Sequence, residues 1–214
     1  MREVRKILPL VPFPPMHWWA VALSGNAIID GNERYVKQSL RNRLTLCDDK
    51  GSFAWSFALD HVVRKQRGKE APMASLPLSP HIPQRNLLKA LATAYGRAPF
   101  FEHVMPEIEE WMDTASTLGE LSWKSIEWMA DWGGIHELPE LSRAALPYRG
   151  DDGDYRVNGK LEPDDWDFAP YLQPFEDRNG FLGGCSGLDA VMGLGRDWPD
   201  AARKTRHKSI NLQP

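Results

Sequence analysis

Leu40-Arg-Asn-Arg43-Leu-Thr-Leu-Cys47-Asp-Asp-Lys-Gly51-Ser-Phe-Ala-Trp55-Ser-Phe-Ala-Leu59 decides the fold class. Two strand-forming runs, 40–47 and 52–59, flank Asp48-Asp49-Lys50-Gly51, a polar turn with its glycine late in the loop, and predict a β-hairpin. In the second arm Phe53, Trp55, Phe57 and Leu59 alternate with serine or alanine, so a strand there buries one aromatic face. Upstream, residues 7–11 read as a short first strand. Pro12, Pro14 and Pro15 then break the chain and set up a helix over 16–23. Residues 27–30 form a second short apolar run ending in an acid, Asp30. Downstream, 64–70 reads as a basic polar loop and 73–78 as another strand, edged by Pro77.

Beyond residue 80 the period changes. Leu87, Leu88, Leu91 and Ala94 mark an amphipathic helix over 84–95, stopped by Gly96. Further helices are expected over 99–112 and from Leu118 to Gly133-Gly134, with a short strand over 136–142. Residues 147–167 are rich in Asp, Gly and Pro and predict a long surface loop, a candidate lid. The last ordered stretch, 171–195, starts as a strand-like aromatic run and passes a charged turn. It then crosses Gly180, Gly183, Gly184 and Gly187 into a short helix. Ser186 is the expected N-cap there, with Asp189 three residues later in the first turn. Strands, then helices, then a strand-loop-helix predict an α+β protein. The expected form is a short mixed or antiparallel sheet with a hairpin, packed by three to four helices. A single domain over 1–200 would end in a polar basic tail, 201–214.

With 42% hydrophobic residues in 214, the chain can bury a sizeable core. Its 26 Lys and Arg against 29 Asp and Glu give a net charge of -3, so bulk charge predicts neither nucleic-acid nor membrane-surface binding. The apolar runs fall far short of the ~20 residues that span a bilayer. The amino-terminal ten residues have no signal-peptide core. Cys47 and Cys185 make neither a metal pattern nor a disulfide framework, and a cytoplasmic protein with reduced thiols is expected. No dinucleotide fingerprint or phosphate loop occurs: Gly193-Leu-Gly195 closes a predicted helix, the wrong context for either.

Three clusters carry candidate chemistry. In Tyr35-Val-Lys37-Gln-Ser39-Leu-Arg41-Asn42-Arg43, an extended chain would place Lys37, Ser39, Arg41 and Arg43 on one face. Such a face can clamp carboxylate or phosphate, or it can simply be a charged strand edge that resists aggregation. In Pro12-Phe-Pro-Pro-Met-His17-Trp18-Trp19, His17 is either a packed imidazole or a general base. His61, His81 and His103 lack metal-ligand spacing. In the third cluster Glu176, Asp177 and Arg178 form either a local ion-paired turn or part of a site. Asp177 and Asp189 lie twelve residues apart across the glycine loop and could converge as an acid–base pair. Cys185, just before the helix, either packs or acts as a thiolate nucleophile with His17 as its base.

In this order the clusters resemble the WbqC-like family of bacterial proteins. The resemblance rests on Pro12-Phe13-Pro14-Pro15 with Trp18-Trp19, on Tyr35 to Arg43, and on Ala94-Tyr-Gly-Arg-Ala-Pro-Phe-Phe101. It closes on Gln173 to Phe181 and Ser186 to Asp189. Relatives usually carry Ile-Pro-Asn-Leu before the last helix, where this chain has Leu182-Gly183-Gly184-Cys185, so no role of that Asn carries over. The resemblance implies an accessory of surface-polysaccharide or small-metabolite biosynthesis, with acyl or aminoacyl transfer onto an amine as the expected reaction. Asp189, His17 and Asp177 are the candidate catalytic residues, and Lys37, Arg41, Asn42, Arg43, Arg178 and Ser186 the candidate binding residues. The partners would be a small anionic donor and an amine or sugar; the cofactor is left open. The alternative is a non-catalytic ligand-binding or scaffold protein of the same pathway.

Overall fold

The computed structural model describes residues 5–68, 71–156 and 160–209. The chain opens with β1 (Lys6–Pro9), α1 (Met16–Leu23) and β2 (Ala27–Asp30), followed by the hairpin β3 (Arg43–Asp48) and β4 (Gly51–Ser56). Next come α2 (His61–Arg67), α3 (Asn86–Tyr95), α4 (Phe101–Met112), α5 (Leu118–Gly133) and the short strand β5 (Glu140–Ser142). The last part holds β6 (Trp166–Asp167), α6 (Glu176–Asn179), α7 (Gly187–Leu194), α8 (Trp198–Lys204) and β7 (Arg206–His207). This is an α+β architecture in which parallel and antiparallel pairings occupy separate sheets. β2 lies between β1 and β5, all parallel, while β3–β4 and β6–β7 are antiparallel. The register sets Pro9 opposite Asp30 and Asp30 opposite Ser142, so all three parallel strands end along one edge.

α1 is apolar nearly all round, and a helix of that kind must be buried on every side. It is: Trp18 and Trp19 are fully enclosed, and α1 packs against α8, with the Trp19 and Trp198 ring centroids 4.8 Å apart. The indole N–H of Trp18 donates to Pro9 O at 2.9 Å, and that of Trp198 to Met129 O at 3.1 Å. Those two bonds tie α1 to β1 and α8 to α5. α5 starts from a capping box made by Thr117 and Glu120 and ends at Gly134 in the left-handed region.

Several local expectations give way to tertiary contacts. Of the loop expected over 64–70, residues 64–67 belong instead to the helix His61–Arg67, because Asp60 caps the amides of Val62 and Val63 and basic residues fill the last turn, while 69 and 70 lie outside the described residues. Residues 73–78 make a 3-10 turn, Met73–Ser75, rather than a strand, and their β-type pairing is limited to isolated bridges such as Leu59 to Leu78 and Pro77 to Thr117. Residues 35–42 are a turn, not an extended strand, with Gln38 left-handed, so strand alternation does not set their faces. The aromatic run from Tyr171 is likewise not a strand. The basic stretch after 200 is packed: Ala201 and Ala202 are buried and Arg206–His207 pairs with β6, while 210–214 lie outside the described residues. Cys47 and Cys185, expected as free thiols, form a disulfide across 138 residues. The fold brings β3 against the approach to α7, a proximity that spacing cannot reveal.

The largest departure concerns the acidic loop. Part of it runs beside β1: Ile7 N donates to Gly153 O and Tyr155 N to Ile7 O, both at 2.8 Å. Asp154, Tyr155 and Arg156 are buried. Arg156 spends all five N–H donors, on Asp154 through Nε and Nη2, on Asp30 at 2.5 Å, and on Leu146 O and Pro147 O. Ion pairing thus supplies what the segment lacks in apolar surface.

Candidate functional site

Outside the carboxyl ends of the parallel strands, where sheets of this kind usually receive ligands, lies a cavity of about 510 Å³. Pro9 ends one wall, the 36–41 turn with Arg43 to Thr45 makes a second, and Tyr155, Arg156, Leu161, Glu162, Pro163 and Gly184 close it. The turn is locked by Ser39, whose hydroxyl donates to Val36 O at 2.7 Å and accepts from Arg41 N. Arg41 points inward, donating to Glu33 Oε2 at 2.5 Å and to Arg156 O at 3.1 Å, while its Nε has no acceptor. Burial raises the Glu33 carboxyl to about 7 despite the adjacent Arg41, with Asp30 adding to the rise. Two cations of the wall are therefore spent in a buried ionic layer.

Lys37 and Arg43 differ. Among the described residues neither side chain has an ion pair or hydrogen bond, and both line the cavity. They also line a second cavity of about 330 Å³ together with Tyr35, Asn42, His61 and Arg64, so they stand between the two. Asn42 donates to Phe57 O at 3.1 Å and accepts Phe57 N with its own carbonyl, fastening the end of β4. Its side-chain oxygen is unpartnered.

Besides Asn42 and Ser186, which line neighbouring recesses, four candidates lie away from the main cavity. His17 is fully buried between Trp166 and Phe168, each ring 5.6 Å away. Desolvation lowers its pKa to about 3; the Leu161 backbone opposes this, though no well-aligned hydrogen bond reaches either ring nitrogen. Asp177 is exposed on α6. Arg178 lies 3.8 Å from Asp49 at the hairpin tip, docking α6 there with help from Asn179, which donates to Asp48 O. Asp189 is buried, accepting from Tyr171 Oη at 2.6 Å and Gln173 Nε2 at 2.7 Å through Oδ2, while Oδ1 has no donor. Burial raises its pKa against the pull of Tyr171, Gln173 and Tyr95.

Ser186 caps α7 through Leu188 N and also donates to Phe13 O at 3.0 Å. Phe13 sits at φ 44, an unfavourable region for its ring-bearing side chain, and is held there by Ser125, Ser186 and Gly187. Ser186 borders a small recess beside Arg43 and Thr45. The structure thus gathers Lys37, Arg41 and Arg43 around one cavity, with Asn42 on the second cavity beside it and Ser186 adjoining. It leaves His17, Asp177, Arg178 and Asp189 elsewhere. Glu33, Tyr155, Arg156 and Glu162 are site residues that sequence reasoning missed. Asp30 alone was marked, as an acid at a strand end.

Fold and site define an α+β protein with a cation-lined cavity at the carboxyl edge of a small parallel sheet. The chain belongs to the WbqC-like protein family, whose profile matches residues 13–157, more than half of the chain. That span takes in the proline-aromatic opening from Phe13 onward, Tyr35 to Arg43, and Ala94 to Phe101, and stops before Gln173 to Asp189. No curated protein and no solved structure gives a significant match. Among the described residues no helix is long and apolar enough to cross a membrane.

Proposed function

We propose that the cavity binds an anionic donor and that the protein transfers an acyl or aminoacyl group from it to an amine, in bacterial surface-polysaccharide or small-metabolite biosynthesis. The observation that carries this is the pair Lys37 and Arg43, unpartnered on the wall of a 510 Å³ cavity whose other two guanidiniums are already neutralised. Arg43 offers a bidentate fork for a carboxylate or phosphate, Lys37 a mobile point charge. The carboxylate in the wall is Glu162. In this reading it accepts the proton released as the amine nitrogen bonds to the acyl carbon and the anionic group departs. We place the reaction in the cytoplasm, where Cys47 and Cys185 would be reduced.

A second reading, a non-catalytic ligand carrier, is favoured by one observation: His17 and Asp189, the groups best suited by type to acid–base work, are sealed in the interior. Metabolite profiling of a deletion strain complemented by each variant separates the two. Transfer requires that Lys37→Ala/Arg43→Ala and Glu162→Gln both lose the N-acylated product and accumulate the free amine, at wild-type unfolding temperature. Full complementation by Glu162→Gln alongside failure of the cation variant selects the carrier. Full complementation by both removes the cavity from the function.

A further inference from the structure

Cys47 on β3, Cys185 in the approach to α7 and Asp189 in its first turn are each at most 2% exposed. One ligand atom from each, two sulfurs and a carboxylate oxygen, lies within 4.8 Å of the others. Oδ2 of Asp189 is held by Tyr171 and Gln173, whereas Oδ1 is buried with no donor. An unpaired carboxylate oxygen is costly in an interior, and the sulfurs of a disulfide offer it no hydrogen. We propose that in the dithiol state Cys47, Cys185 and Asp189 form a binding site for a thiophilic divalent cation of the zinc type.

Two thiolates and one carboxylate are a donor set that selects zinc or cobalt over magnesium or calcium. The supports of Asp189 match what a metal-bound carboxylate needs: Tyr171 and Gln173 fix its rotamer through one oxygen and leave the other free. Tyr95, whose hydroxyl accepts the Cys47 amide at 3.0 Å, lies beside Asp189 and favours its carboxylate form. The structure holds the pair oxidised. A dithiol reductant supplies two electrons and two protons, breaking the S–S bond and becoming a disulfide itself. The cation then binds both sulfurs as thiolates, releasing two protons to solvent. The disulfide and the metal are thus alternative closures of one junction, between β3 and α7. Neither depends on the transfer reaction proposed above.

The test uses the full chain, reduced with a dithiol under anaerobic conditions and stripped of metal. Titration with Co²⁺ should give a one-to-one complex with thiolate-to-cobalt charge-transfer absorption, which Zn²⁺ removes by displacement. Cys47→Ser should abolish that absorption. Asp189→Asn should keep it but weaken the affinity by about tenfold or more. Zn²⁺ should raise the unfolding temperature of the reduced protein and leave that of the oxidised protein unchanged. If either variant fails to fold, the wild type alone decides: Zn²⁺ must slow alkylation of both thiols by N-ethylmaleimide. Absence of charge transfer and of alkylation protection overturns the site and leaves a cross-link. Undiminished affinity in Asp189→Asn overturns the three-ligand assignment.

Discussion

Replacing His17 by phenylalanine should remove much of the protein's sensitivity to mild acid. The folded ring is enclosed by Trp166 and Phe168, and burial lowers its pKa from 6.5 to about 3. Above 6.5 the imidazole is neutral in both folded and unfolded chains and contributes nothing to their difference. Below 6.5 the unfolded chain takes up a proton that the folded core refuses. The stability present above the unfolded pKa is therefore lost as pH falls toward the folded one. The slope is about 1.4 kcal/mol per pH unit, so about two units below 6.5 the wild type should have lost ~2.7 kcal/mol relative to His17→Phe. That is a large share of an ordinary domain's ~5–15 kcal/mol. Urea unfolding of both proteins across a pH series gives the difference directly. Changed packing against Trp166 adds an offset that does not vary with pH. Other titrating groups cancel in the subtraction so long as they do not couple to this site. A difference that stays flat between neutrality and ~pH 4.5 would mean that the folded ring protonates normally, and the account of a sealed imidazole would be wrong.

Glu33→Gln should show the opposite sign. A carboxyl raised from 4.5 to about 7 contributes stability that is complete below 4.5 and lost as pH rises through 7, so the wild type should weaken relative to the variant across that window in the same urea series. Arg156→Lys keeps the charge but cuts five donors to three, stranding acceptors among Asp30, Asp154, Leu146 O and Pro147 O. A loss of ~3 kcal/mol in thermal unfolding is expected, with faster amide exchange over 146–156, and an unchanged unfolding temperature would show the ion layer to be dispensable. Gly187→Ala should destabilise by ~2 kcal/mol or more, because its Cβ would collide with Pro14 O and the Met129 side chain. A calorimetric scan equal to wild type would show that the Phe13–Gly187 junction can move.

Local chemistry was legible where the chain signals over short range. The prolines before Met16, the alternation of Phe53 and Trp55 with small residues, and the Ser186 cap all declare their elements within a few residues. α2 also carries a short-range signal: Asp60 as cap, basic residues in the last turn, then Gly68. The burial of 153–156 had no such signal. Its composition is that of a solvated loop, and its partner, Asp30, is 126 residues away. The same holds for the disulfide, whose halves are 138 residues apart. The cationic cluster 37–43 was visible as charge. Which cations are spent and which are free was not, because that depends on Glu33, Asp30 and Asp154 arriving from elsewhere in the fold.

Those arrivals set the electrostatic character of the cavity. Behind its wall stand three carboxylates, Asp30, Glu33 and Asp154, against two guanidiniums, Arg41 and Arg156. Were all ionised, the layer would carry one excess negative charge, and some of the attraction of Lys37 and Arg43 for an anion would be cancelled. Glu33 is the member that gives way. Burial raises its carboxyl to about 7 in spite of Arg41, so near neutrality a substantial fraction of molecules hold it protonated and the layer balanced. Among the described residues of the open wall, two unpaired cations then face one carboxylate, Glu162. A chain with net charge -3 thus presents a local excess of positive charge at the carboxyl edge of its parallel sheet. Arg43 is half-buried while Lys37 and Glu162 are exposed, so the low-dielectric walls strengthen the attraction chiefly at Arg43 relative to the same charge on an open surface. Residues 153–156 of the acidic loop create this polarity by closing over Asp30 with Arg156, and that part of the loop is therefore a structural wall of the site.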